Sequence, residues 1–138
     1  MEQFFNTLYY YTNNFYCIEL DNYLYEKVPG YLHNGIVLLI LSIIFCIAYY
    51  YVKAPVKKQM LWWFIFAGFN AISNFFFGLW YTMTPLINNE IEISEEWSYF
   101  DCFVFGLVSS VFSFVFFVII SLLIKWWSPA KFIPFRKF

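Results

Sequence analysis

The chain has 138 residues, of which 62% are hydrophobic and only 12% charged, with a formal net charge of −1. A soluble domain carries about 25% charged residues, so this chain could not cover itself with polar surface in water. It is at most one domain, and lipid is the simplest solvent for it.

Residues 1–32 read as an aromatic-rich extracytoplasmic segment. Phe4, Phe5, Leu8, Tyr11, Phe15 and Ile18 recur at helical spacing with polar residues between them, which predicts an amphipathic helix lying at the outer interface. Met1-Glu2-Gln3-Phe4 lacks the basic start of a cleavable signal peptide. Neither Glu2 nor the closing Phe135-Arg136-Lys137-Phe138 fits a lipidation signal.

Val28-Pro29-Gly30 reads as the turn into the first of three uncharged runs. These runs, about 33–52, 60–83 and 103–124, hold no Asp, Glu, Lys or Arg, and each meets the roughly 20 residues needed to cross hydrocarbon. The third contains 17 Leu, Ile, Phe or Val residues. Its β-branched and aromatic content would suggest strand in water, but a lone strand in lipid leaves its backbone unsatisfied, so helix is expected. The short first loop, Lys53 to Gln59, predicts a tight antiparallel hairpin. Pro85 is expected to close the second span. Ser94-Glu95-Glu96 reads as a helix start before the third, with Trp97 and Tyr99 at interface depth.

The expected fold is therefore an all-α membrane protein. Residues 33–127 form a small bundle of three transmembrane helices, and residues 128–138 form a basic-aromatic tail. Charge orients it. Lys53, Lys57 and Lys58 lie in the first loop, and Lys125, Lys131, Arg136 and Lys137 lie beyond the third span. Lys27 is the only base on the other side, which holds all nine acids and so carries a balance of −8. The positive-inside rule then places the N-terminus outside and the C-terminus in the cytoplasm. Trp126 and Trp127 join the basic residues as a cytoplasmic anchor, and the tail suits anionic headgroups or a cytoplasmic protein.

Within the spans, Ala67, Asn70, Ala71, Asn74 and Gly78 share one helix face. In a membrane, small residues let backbones approach and Asn side chains hydrogen-bond across the contact. The stripe is expected to be packing glue, with a water-filled or ion-lined path as the rival reading. Gly106, Ser110 and Ser113, with Ser109 beside them, mark a similar face on the third span. Gly35, Ser42 and Cys46 do so on the first. Cys17 and Cys102 fall on the same outer side, so the topology allows a disulfide between them. His33, the only histidine, is expected near a helix start as an interfacial polar residue, with a pH switch as its alternative. The acidic outer loop reads as a solvated face that would also attract cations.

No spacing fits a metal, nucleotide or nucleic-acid site, so no cofactor is expected. The spans lack the acid or base that intramembrane catalysis needs, and three spans show no repeated halves of a transporter. The expected function is a non-catalytic subunit or anchor of a larger assembly in the cell membrane, in contact with lipid and with other membrane subunits or copies of itself. A self-oligomerising pore is the alternative. In layout alone the chain resembles one class of phage holins, which share three spans, an outside N-terminus and a basic inner tail. A small membrane immunity protein has the same outline. Protease added outside intact cells should leave the C-terminal tail whole; its digestion from outside would overturn the orientation.

Overall fold

The structure, a computed structural model, describes residues 2–11, 18–27, 29–53, 59–88 and 97–124, and these are organised as helices with no strand among them. Helix α1 is Glu2–Tyr10. Helix α2, Ile18–Asn22, continues through a π-helical turn at Tyr23–Lys27. Helix α3, Gly30–Ile47, continues likewise through Ala48–Lys53. Helices α4, Gln59–Ile87, and α5, Tyr99–Ile124, complete the fold. Three stretches are long and apolar enough to cross a membrane: Gly30–Tyr51, Met60–Ile87 and Tyr99–Ile124. At 29 and 26 residues, α4 and α5 run about 43 and 39 Å, longer than the roughly 30 Å of hydrocarbon.

Each span outruns its expected bounds for a local reason. Helix α3 starts at Gly30 because Pro29 suits a helix start, where its missing N–H costs nothing; the amide of His33 donates to the Pro29 carbonyl at 3.0 Å. Pro85 does not end α4, contrary to expectation. It lies inside a helix that runs on to Ile87, with the Asn88 amide donating to the Thr84 carbonyl at 3.0 Å. Proline removes one i to i−4 bond, that to Tyr81, and leaves the following bonds to be made. Nearby, Trp97 Nε1 donates to the Thr82 carbonyl at 3.2 Å.

Helix α5 begins with a capping box at Ser98; the helix start expected at Ser94 falls among residues 89–96, which lie outside the described residues. The Ser98 amide and Oγ donate to Asp101 Oδ2 at 3.1 and 2.7 Å, and the Asp101 amide donates back to Ser98 Oγ at 3.3 Å. Two of the backbone donors at this end are thereby satisfied reciprocally. Trp97, just before the cap, donates from Nε1 to Cys102 Sγ at 3.2 Å, a staple across the first turn. Trp97 is thus buried in the core, while Tyr99 is exposed.

Small residues set the distance between α4 and α5. A Cβ on Gly78 would lie 3.3 Å from the Gly106 Cα, and one on Gly106 would lie 3.0 Å from the Phe75 carbonyl oxygen. Helix α1 docks differently from its expected stripe. Phe4, Tyr11 and Ile18 are 56%, 76% and 68% exposed, whereas Phe5 and Tyr9 are fully buried. Four residues apart, Phe5 and Tyr9 share a face, and Phe5 lies against Gly35 of α3, where a side chain would collide with its ring. Tyr9 stacks on Tyr31 at 4.9 Å and on Phe105 of α5 at 5.6 Å.

The α4–α5 contact gives a direct test. Gly106→Val should destabilise the folded chain by about 1–3 kcal/mol, because a backbone carbonyl faces the added side chain and cannot be repacked. Gly68→Ala, where nothing lies within 4 Å of the new atom, should be neutral or stabilising by about 0.5–1 kcal/mol. Unfolding in mixed micelles measures both; equal effects would refute the close approach as the governing contact.

Candidate functional site: the buried polar seam

Helices α3, α4 and α5 turn their polar side chains toward one another. Asn34, Ser42, Asn70, Asn74, Thr82, Ser109, Ser113 and Ser121 are all fully buried. On α3 the buried positions Asn34, Leu38, Ser42 and Cys46 step by four, as do Ser109, Ser113, Phe117 and Ser121 on α5. Steps of four keep a row on one helix face, so the two rows can face each other along the bundle. Their polar groups meet in three tiers.

The middle tier joins all three spans. Asn70 Nδ2 of α4 donates to Ser42 Oγ of α3 and to the Ser113 carbonyl of α5, both at 3.0 Å. Asn74 Nδ2 donates to the Asn70 carbonyl at 3.0 Å and to Asn70 Oδ1 at 3.2 Å. Asn74 therefore fixes the Asn70 amide with its nitrogen toward α3 and α5. The tier farther from α1 is built on Ser121, whose Oγ accepts from Trp63 Nε1 at 3.3 Å and lies 3.5 Å from Cys46 Sγ. Cys46 Sγ also donates to the Phe117 carbonyl at 3.5 Å.

The tier nearest α1 brings the N-terminal helix into the bundle. Asn34 Nδ2 donates to the Tyr9 hydroxyl and, at 2.7 Å, to Ser109 Oγ; Tyr9 and Ser109 lie 3.3 Å apart. Burial pushes the Tyr9 phenol up to about 12, so it is a neutral hydrogen-bonding group at physiological pH. Asn34 Oδ1 and Asn74 Oδ1 are buried without a hydrogen-bond partner among the described residues. At Asn34 turning the amide does not help, because both neighbours are hydroxyls and one end of the amide stays unpaired.

Of the residues expected on packing or pore-lining faces, Ala67, Asn70, Asn74, Gly78, Gly106 and Ser113 are buried in this seam, while Ala71 and Ser110 lie half-exposed at its edge. The face of α5 is centred on Ser109, since that helix packs against both α3 and α4. Asn34 is a seam residue, and the neighbouring His33 is exposed, its Nδ1 2.9 Å from the Tyr81 hydroxyl. Sequence reasoning missed Tyr9, Trp63 and Ser121. The spacing of Phe5 and Tyr9 was the available signal for the first. Cys102 is a buried free thiol; Cys17, weighed as its partner, lies outside the described residues. So do Lys57, Lys58 and the anchor from Lys125 onward, with Trp126, Trp127, Lys131, Arg136 and Lys137; the structure likewise says nothing of the Lys53 side chain.

The seam can hold helices together, and its chemistry is hydrogen bonding between neutral groups. Asn70→Leu removes both inter-helix bonds and should cost about 0.6–2 kcal/mol. Asn74→Leu should cost less, because it also removes an unpaired buried oxygen. A double-mutant cycle by reversible unfolding should show the two coupled; full additivity with equal costs would rule out the positioning of Asn70 by Asn74.

The chain matches no protein-family model, no curated protein and no solved structure.

Proposed function

We propose that this chain is a non-catalytic integral membrane subunit or anchor, working through helix and terminal-segment contacts within a larger assembly of the cell membrane. The observation that carries the reading is the closed seam: Asn70 spends its amide donors on Ser42 and Ser113, and Asn74 spends its own on Asn70. Gly78 and Gly106 bring α4 and α5 within van der Waals contact beside them. What the bundle offers outward is bulky and apolar. Phe69, Ile72, Phe76 and Trp80 on α4 are each more than half exposed and recur on one face. Such a ridge suits lipid chains or the helix of another subunit.

In this reading the basic first loop and tail face the cytoplasm and the acidic segments face outward, as the charge distribution favours. Helix α1 sits at the outer interface with Phe4, Tyr10 and Tyr11 turned away from the bundle. A self-associating pore is the rival, and the unpartnered amide oxygens of Asn34 and Asn74 are the feature that favours it, since water entering the seam would satisfy them.

Purification from native membranes in mild detergent should recover one or more distinct membrane proteins at fixed stoichiometry. Recovery of self-complexes alone, together with ion permeability of vesicles containing the purified chain, would replace the subunit reading with the pore.

A further inference from the structure

Beside the bundle, α1, α2 and the start of α3 enclose a cleft of about 260 Å³ lined by Asn6, Tyr10, Asp21, Tyr25 and Tyr31. Its floor is fixed. Tyr31 is buried, stacks on Tyr9 and donates its hydroxyl to Asp21 Oδ1, while Tyr9 is tied to the seam through Asn34 and Ser109. Its walls are open: Tyr10 and Tyr25 are 66% and 59% exposed. Asp21 is half-buried between them. The surrounding charge is negative, since residues 2–31 hold Glu2, Glu19, Asp21 and Glu26 against Lys27 alone.

A carboxylate held in place beside tyrosine rings has a specific complement. Aromatic faces attract cations through their quadrupole, and aromatic cages are used to recognise quaternary ammonium groups. A hard metal ion would want six or more oxygen ligands, and this cleft offers one carboxylate, already sharing an oxygen with Tyr31, and one amide. Ligand sites for drug-sized molecules begin near 300 Å³, so the space fits a small headgroup. We propose that this cleft binds an organic ammonium group, with Asp21 as its counter-charge and the rings of Tyr10 and Tyr25 as its walls. The ammonium is that of a zwitterionic lipid headgroup or of a free small cation; the chemistry is the same. The site does not depend on the subunit role, because its proposed ligand groups, Asp21 and the exposed rings of Tyr10 and Tyr25, are not among the residues that form the seam.

The test uses the full chain in maltoside micelles, titrated calorimetrically with tetramethylammonium chloride at constant ionic strength. Saturable binding is expected. Asp21→Asn keeps an acceptor for Tyr31 while removing the charge, and Tyr25→Leu removes an exposed ring; each should weaken binding at least tenfold with the melting temperature unchanged. Tyr10→Leu, likewise exposed, serves in place of either variant that melts early. Repeating the titration in nanodiscs separates the sources: binding blocked in phosphatidylcholine but kept in phosphatidylglycerol assigns the cleft to a lipid headgroup, and equal binding in both assigns it to a free cation. Absence of saturable binding in micelles, or binding unchanged by these substitutions, would overturn the proposal.

Discussion

Hydrocarbon supplies no hydrogen-bond partner, so a polar side chain on a spanning helix must find one on a neighbouring helix or bear the cost of being buried alone. Three helices of this chain are long and apolar enough to cross a membrane, and there the constraint applies to each of them. Ser42, Asn70 and the Ser113 carbonyl meet because each span carries polar groups that lipid will not accept. Once they meet, the rotation of all three helices is set. Burial of apolar surface does not discriminate among rotations here, since lipid chains are as apolar as the Phe and Leu side chains they replace. The hydrogen bonds and the small residues between them therefore choose the packing.

The same constraint explains what is small and where. Gly78 opposite Gly106 lets α4 and α5 come close, with Ser109 Oγ packed at 3.2 Å from where a Cβ on Gly78 would lie. It also explains the place of α1. Tyr9 carries a large ring and a hydroxyl, and it fills the groove between α3 and α5 while answering part of the demand of Asn34. Asn34 and Asn74 each keep one oxygen unpaired, a departure from the usual satisfaction of buried polar groups.

Local chemistry at the ends of the spans is less dependent on lipid. Ser98 and Asp101 cap α5 reciprocally, and Trp97 folds back on Cys102, as they would in a soluble helix. These contacts lie between residues three to five apart, so the sequence contains them in full. Pro85 shows the converse. Its ring was expected to stop the helix, but near a helix end only one backbone bond is lost, and the residues after it continue the helix.

Three uncharged runs of sufficient length determined, without any structure, that the chain has three helices able to cross a membrane, because hydropathy over about 20 residues is a property of composition and needs no neighbour. The small and polar face of α4 was legible for the same reason: Asn70, Asn74 and Gly78 are read against a uniformly apolar background. Only the tertiary structure decided that Ser109 and not Ser110 faces the seam, that Asn34 belongs to it, and that Tyr9 closes one end. Those choices differ by about 100° of rotation or by the docking of a separate helix, and a helix that must satisfy two neighbours at once takes its setting from both, not from its own sequence.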